Sequence, residues 1–176
     1  MNYFISGGCK NGKSFHAQRV AKKMSEEKGL PLYYIATMIP IDNEDNIRIN
    51  RHISERAGWG FKTIEQPLDI LGCLDQIDNK GVILFDSVTA LLMNEMFPVG
   101  REPKLDVAER IANELKEFCI RTDNTVFVSD YIYSDCNRFD DLTDKYREGL
   151  ALLDKTLVKA CDRVEEVAYG FTKVHK

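Results

Sequence analysis

Paired cysteines, long apolar runs and an excess of positive charge are all absent from this 176-residue sequence. The five cysteines are scattered at positions 9, 73, 119, 136 and 161, and none forms a Cys-x-x-Cys pair, so we expect reduced cytoplasmic thiols rather than a disulfide framework or a zinc site. No apolar stretch approaches the roughly 20 residues of a membrane span, and the N-terminus does not resemble a signal peptide. The net charge of −4 gives no general attraction to nucleic acid or membrane, so any phosphate chemistry needs a local basic site.

The most informative segment is Gly7–Ser14, which reads Gly-Gly-Cys-Lys-Asn-Gly-Lys-Ser. Its spacing, Gly-x-x-x-x-Gly-Lys-Ser, is that of a P-loop. The glycines let successive backbone N–H groups point at one anion, Lys13 supplies charge for the outer phosphates, and the Ser14 hydroxyl suits Mg²⁺. A short apolar run at 2–6 precedes the loop and a helical pattern at 14–28 follows it. Strand, glycine loop and helix N-terminus together predict a nucleotide-phosphate site.

Strand-like and helix-like segments alternate along the rest of the chain. This pattern predicts an α/β, P-loop NTPase-like, three-layer fold with a mostly parallel central sheet flanked by helices, in one domain covering residues 1–176. The expected later strands are Leu32–Thr37, Phe61–Glu65, Gly81–Asp86, Thr125–Asp130 and Val164–Tyr169. The expected helices between them cover about 42–57, 68–78, 88–97, 104–121 and 139–161, and 98–104 is expected to be a surface loop.

Two aspartates end buried strands in this scheme. P-loop proteins use a carboxylate at the C-terminal edge of a buried strand to hold Mg²⁺, so Asp86 is a candidate metal ligand. The alternative is an N-cap of the following helix, since Asp86 and Ser87 both suit that role. Asp130 ends the next strand in the same way, and both roles stay open for it. His16, two residues beyond Ser14, is either near the phosphates or simply packed or exposed to solvent.

The segment from Asp45 to Arg56 has a notable arrangement of charge. If it is helical, Arg48, His52 and Arg56 lie along one face. Spacing alone favours a solvated charged face. The chemical alternative is a neutral, nucleophilic imidazole held between guanidinium groups that stabilise a phosphoryl group in transfer.

These segments together resemble the family of bifunctional adenosylcobinamide kinases / adenosylcobinamide-phosphate guanylyltransferases. The resemblance rests on the P-loop with His16-Ala17, on Tyr34-Ile35-Ala36-Thr37, and on Arg48-Ile49-Asn50-Arg51-His52 followed by Arg56, Trp59, Glu65 and Pro67. The spacing of Asp86, Thr89 and Asn94 and the ending from Ala160 to Gly170 also match.

The resemblance implies roles for individual residues. His52 is expected to accept GMP from GTP, with Lys13 as the second catalytic residue and with Ser14 and Asp86 holding Mg²⁺. The implied substrates are GTP, ATP or both as donor and a corrinoid as acceptor, and the implied assembly is a homo-oligomer, a trimer. The implied nucleotide-binding residues are Gly7, Gly8, Cys9, Lys10, Asn11, Gly12, Lys13, Ser14, Thr37, Ile53, Ser54, Glu55, Arg56, Glu65 and Asp86.

One segment departs from the family pattern. After strand 125–130 the family has Asn-Glu-Val-Gly and a loop with glycine and proline, whereas this chain continues Asp130-Tyr131-Ile132-Tyr133, and the family's later Asn-Gln pair is Asp154-Lys155. Two other hypotheses therefore stand beside the bifunctional enzyme. One is a P-loop kinase for another small alcohol, and the other is a nucleotide-binding regulatory module without group transfer.

Overall fold

The computed structural model describes the backbone of residues 1–176 and the side chains of all but Arg48, His52 and Glu55. Over this described backbone, seven strands form one sheet in the order β3-β2-β4-β5-β1-β6-β7. All neighbouring pairs are parallel except β6 with β7. The strands are β1 Tyr3–Gly7, β2 Leu32–Ala36, β3 Phe61–Glu65, β4 Val82–Asp86, β5 Asn124–Asp130, β6 Arg163–Ala168 and β7 Phe171–Val174.

Helices fill the connections between the parallel strands, as crossover connections require. The segment between β3 and β4, expected as an α-helix over 68–78, is a shorter 3₁₀ helix at Ile70–Gln76. The α-helices are α1 Lys13–Lys28, α2 Asn43–Glu55, α3 Val88–Met96, α4 Val107–Arg121 and α5 Asp141–Ala160.

The core lies on both faces of the sheet, which confirms the three-layer prediction. In β4, Ile83 and Phe85 belong to the cluster under α3, α4 and α5, whereas Val82 and Leu84 belong to the cluster under α1. This alternation is that of a central strand buried on both sides.

The register of the sheet brings the expected site residues to one edge. Gly7 pairs with Asp130 at the ends of β1 and β5, and Asp86 pairs with Ala36 at the ends of β4 and β2. Ligands of open α/β sheets bind at this carboxyl edge. None of the helices described is long and apolar enough to cross a membrane.

Candidate functional site: the P-loop and helix α2

The P-loop has the backbone shape that its glycines predict. Gly12 has φ 90° at the N-cap of α1, and Lys10 adopts φ 56°. A Cβ atom on Gly7 would collide with the Val167 carbonyl oxygen and stand 2.6 Å from Nδ2 of Asn11. The Asn11 side chain donates to that same carbonyl oxygen on β6. Only glycine therefore fits position 7, and the loop is fastened to the neighbouring strand.

Lys13 is held by anionic and carbonyl groups at the base of the loop. Its side chain is 7% exposed and forms an ion pair with Asp130, which is 16% exposed. Its Nζ also donates to the Gly8 carbonyl oxygen at 3.2 Å. Neither role weighed for Asp130 in the sequence, metal ligand or N-cap, anticipates this ion pair.

The P-loop and α2 face a common pocket. Its volume is about 550 Å³, within the range of small-molecule sites. The P-loop and α1 line one wall and α2 lines the other. The lining residues are Cys9, Lys10, Asn11, Gly12, Lys13, Ser14, Phe15, Glu44, Asp45, Ile47 and Arg51.

The apolar part of the pocket lining was not foreseen in the sequence. Phe15 and Ile47 line the pocket and remain 46% and 68% exposed. The Phe15 ring lies 6.2 Å from that of Trp59, the single tryptophan. Sequence reasoning missed Phe15, Glu44 and Ile47, because an apolar residue after a P-loop or on an amphipathic helix is also compatible with simple packing.

The predicted nucleotide-binding residues outside the P-loop lie outside this pocket. Among the described side chains, none of the following lines the pocket: Thr37, Ile53, Ser54, Arg56, Glu65 and Asp86. Ile53, Ser54 and Glu65 are exposed. The side chains of Arg48, His52 and Glu55, on which the predicted catalytic face of α2 depends, lie outside the described residues.

Asp86 is not the cap of α3. Ser87 takes that role, since its side chain accepts a hydrogen bond from the Ala90 N–H at 3.2 Å. Asp86 is half-buried and its Oδ2 accepts from the Tyr34 hydroxyl at 3.0 Å. Thr37 is fully buried, and its hydroxyl accepts from Ser87 N–H and donates to Ser87 C=O, so it fixes the turn after β4.

Arg56 also packs against this turn region. It is 8% exposed, and its guanidinium carbon lies 3.8 Å from the centroid of the Tyr34 ring. Tyr34 in turn bonds Asp86. Arg56, Tyr34 and Asp86 therefore form a chain of contacts from the end of α2 to the end of β4.

His16 faces β6. Its Nε2 is 2.7 Å from Oε2 of Glu165, a carboxylate that Arg163 also contacts. Burial by itself would raise the pKa of Glu165, but the hydrogen bonds from His16 and Arg163 outweigh burial and lower it. Of the two roles weighed for His16, the structure therefore supports packing.

A buried polar cluster behind Asp130 was not foreseen in the sequence. Asp154 on α5 is 2% exposed, and its Oδ2 accepts from the Tyr133 hydroxyl at 2.7 Å. Burial raises the pKa of Asp154 to about 6, and the charge of Asp130 adds to the rise. Burial also raises the pKa of Tyr146, whose hydroxyl donates to the Thr89 carbonyl. Long-range pairing of three segments makes this cluster, and no local motif announces it.

The donor chemistry at this edge fits a magnesium ion shared with bound phosphates. Ser14 lines the pocket, and Asp86 offers a half-buried carboxylate at the adjacent strand end. Hydroxyl and carboxylate oxygens are the ligands that Mg²⁺ prefers, with substrate phosphates completing its shell. Among the described side chains, no group of three or more His, Cys, Asp or Glu could hold a metal ion, so these two residues would need the nucleotide as a further ligand.

Solved structures share the fold of this chain. The chain matches a KaiC-like protein from Pyrococcus horikoshii with a TM-score of 0.53 at 13% identity, covering 99% of this chain and 78% of that one. It matches the flagellar accessory protein FlaH from Methanocaldococcus jannaschii with a TM-score of 0.50 at 14% identity, covering 99% and 77%. At these identities the likeness concerns the fold alone.

Relatives found by sequence indicate a narrower class of protein than the shared fold does. The chain is 36% identical over 96 residues to the bifunctional adenosylcobalamin biosynthesis protein CobP of Pseudomonas aeruginosa, covering 53% of this chain and 52% of that protein. It is 32% identical over 108 residues to the bifunctional adenosylcobalamin biosynthesis protein CobU of Escherichia coli, covering 60% and 56%. The chain thus spans about half the length of the curated relatives it matches.

The family model described as cobinamide kinase / cobinamide phosphate guanyltransferase matches residues 3–174, nearly the whole chain. The chain belongs to the cobinamide kinase / cobinamide phosphate guanyltransferase family.

Proposed function

We propose that this protein phosphorylates adenosylcobinamide and then transfers GMP from GTP to the resulting phosphate through a guanylyl-histidine intermediate on His52. The observation that carries the proposal is the pocket shared by the P-loop and α2. One wall offers phosphate-binding amides and Lys13, and the other belongs to the helix that includes His52. A triphosphate held by the P-loop in this pocket would lie against the helix that carries the expected nucleophile.

In the first transfer, the P-loop amides and Lys13 bind the triphosphate of ATP or GTP. The acceptor hydroxyl attacks the γ-phosphorus and a nucleoside diphosphate leaves. Lys13 stabilises the charge on the transferred group. A bound Mg²⁺, held by Ser14 and Asp86, would supply further charge neutralisation at the phosphates.

In the second transfer, an imidazole nitrogen of His52 attacks the α-phosphorus of GTP, and pyrophosphate leaves. A phosphate oxygen of adenosylcobinamide phosphate then attacks the same phosphorus, the N–P bond breaks, and the histidine is regenerated. Helix periodicity supports this assignment. At 3.6 residues per turn, position 52 falls on the arc between positions 51 and 45, and both Arg51 and Asp45 line the pocket.

A labelling experiment separates the two transfers. Wild-type protein incubated with Mg²⁺ and α-labelled GTP should acquire protein-bound label that is acid-labile and base-stable. Added adenosylcobinamide phosphate should remove this label as adenosylcobinamide-GDP. With γ-labelled GTP or ATP and adenosylcobinamide, label should appear on the corrinoid and not on the protein.

Matched histidine variants identify the nucleophile. His52→Ala should lose the α-label while retaining nucleotide binding, whereas His175→Ala, which removes an exposed histidine beside the C-terminus, should be labelled like wild type. Label that persists in His52→Ala would contradict the covalent step. Absence of γ-label on the corrinoid with wild type would contradict the kinase step.

The same proposal includes a homotrimer with sites between subunits. Exposed apolar side chains on and beside α2 support this assembly: Ile41 is 80% exposed, Ile47 68% and Ile53 49%. Light scattering should give three times the 20.2 kDa chain mass, and a monomer mass at working concentration would oppose the trimer.

A kinase for another small alcohol is the second candidate. It is favoured by the segment after β5, where Tyr131 and Tyr133 pack edge-to-face with ring centroids 4.9 Å apart. These rings alter the wall that an acceptor would meet beside Asp130. γ-Phosphoryl transfer to other alcohols, with no transfer to adenosylcobinamide, would select this candidate.

A further inference from the structure

Asp130 lies beside the P-loop lysine, where a phosphoryl group is transferred. Lys13 of a P-loop binds the outer phosphates, and here its ammonium is paired with the Asp130 carboxylate. Two charge-assisted contacts of about 2.8 Å would place Asp130 within about 6 Å of a phosphate oxygen bound by the same ammonium. The hydroxyl oxygen of an acceptor fits between the Asp130 carboxylate and that phosphate group, about 3 Å from the phosphorus atom that it attacks.

Backbone contacts fix the position of Asp130. Its N–H donates to Oγ1 of Thr89 at 2.8 Å, and it pairs with Gly7 in the sheet. The next residue, Tyr131, donates its N–H to the Gly7 carbonyl at 2.9 Å. The carboxylate thus stands on a rigid strand end that is tied directly to the first residue of the P-loop.

The groups behind Asp130 are themselves unusual. Asp154 interacts electrostatically with it and is itself 2% exposed, with the Tyr133 hydroxyl donating to its carboxyl group. The charge of Asp130 also helps to raise the pKa of Tyr146, after the larger effect of burial. Asp130 therefore interacts both with the Lys13 ammonium and with a buried carboxyl group.

We propose that Asp130 is the catalytic base of the phosphoryl transfer, and that a bound triphosphate releases it by taking Lys13 from it. This inference rests on the proposed alcohol phosphorylation. The hydroxyl O–H bond breaks and its proton passes to the Asp130 carboxylate, while the oxygen bonds to the γ-phosphorus. The bond from that phosphorus to the β,γ-bridging oxygen breaks, and the nucleoside diphosphate leaves with the electron pair. Asp130 is 16% exposed and returns its proton to water.

The proposal predicts different effects of Asp130→Asn on nucleotide binding and on phosphoryl transfer. Nucleotide binding should be at least as tight as in wild type, because the triphosphate no longer competes with a carboxylate for Lys13. Phosphoryl transfer should fall about 10²- to 10⁴-fold, the usual contribution of a general base. A residue needed only for structure or for holding a metal would weaken binding and transfer together.

The experiment measures GTP and ATP affinity by calorimetry and transfer of γ-label to adenosylcobinamide in wild type, Asp130→Asn and Asp130→Glu. Asp141→Asn, an exposed aspartate in the first turn of α5, is the matched control and should behave as wild type. Asp130→Glu keeps the charge but moves it by one methylene, so it should bind normally and transfer more slowly than wild type. If Asp130→Asn fails to fold, Asp130→Glu still shows whether phosphoryl transfer falls while nucleotide binding is kept.

Transfer by Asp130→Asn within tenfold of wild type would overturn the proposal, as would affinity more than tenfold weaker. If wild type does not phosphorylate adenosylcobinamide, the proposed function fails separately. Transfer of the γ-label to water is then compared in the same variants, since Asp130 would accept the proton of water equally. An unchanged hydrolysis rate in Asp130→Asn would overturn the role of Asp130.

Discussion

Asp154 gives a stability prediction whose magnitude follows from its burial. Its pKa is about 6 in the folded protein and about 3.9 in an unfolded chain. Between these values the folded state binds more protons than the unfolded state, so wild-type stability falls as pH rises through the window from about 4 to 6. A shift of about two units corresponds to about 3 kcal/mol, lost by the time the pH reaches 7.

Asp154→Asn removes the titrating group and keeps an amide oxygen that accepts from Tyr133. The stability of this variant relative to wild type should therefore increase by about 2 kcal/mol between pH 4 and pH 7 and then stay nearly level. Any constant cost of burying the amide nitrogen cancels from this difference.

The assay is urea unfolding at pH 4, 5, 6, 7 and 8, followed by far-ultraviolet circular dichroism. Glu148→Gln is the matched control, since it converts an exposed carboxylate on the same helix to an amide. Its difference from wild type should be small and nearly independent of pH. If the stability difference between Asp154→Asn and wild type does not depend on pH, the claim that burial disfavours the ionised form of Asp154 is refuted.

Three further substitutions test the site. Lys13→Ala should weaken GTP binding about 10- to 100-fold in calorimetry, the usual value of a charge-assisted contact, and unchanged affinity would contradict the P-loop assignment. Gly7→Ala should lower stability by about 1–3 kcal/mol and impair nucleotide binding, whereas Gly8→Ala, whose Cβ would meet nothing closer than 3.8 Å, should not show this loss of stability. Arg56→Ala should cost about 2 kcal/mol in urea unfolding, because its guanidinium lies 3.8 Å from the Tyr34 ring centroid, and a change near zero would show that this contact adds nothing.

Most of the architecture was predictable because the strands are short, apolar and separated by helical patterns. β4 reads Val-Ile-Leu-Phe-Asp and could hardly be anything but a central strand. β7, at Phe171–Val174, was not predicted, since all four of its residues are exposed and its pairing with β6 comes from a turn with positive φ at Tyr169 and Gly170.

The 3₁₀ helix shows why periodicity alone was insufficient between β3 and β4. The buried positions Ile70, Cys73 and Leu74 have helical spacing, but Asp69 adopts φ 47° immediately before them. The helix therefore starts late and ends after seven residues. Such a short segment satisfies the same apolar pattern in either helical form.

At the site, the sequence predicted the loop but not its partners. The P-loop is one contiguous motif, so its shape and its lysine could be derived from local rules. The ion pair of Lys13 with Asp130 depends on the parallel register of β1 with β5, and the contact of Asp154 with Tyr133 depends on how α5 packs over that sheet. Asp86 and Asp130, two aspartates that each end a buried strand, thus have different neighbours.

The most direct test of the central claim is a site-mapped mass measurement. Wild-type protein incubated with GTP and Mg²⁺, kept at alkaline pH and digested, should show a GMP adduct on the peptide that contains His52. The adduct should disappear when adenosylcobinamide phosphate is added before digestion. A GMP adduct on another residue, or an unmodified chain under conditions in which GTP is bound, would contradict the account.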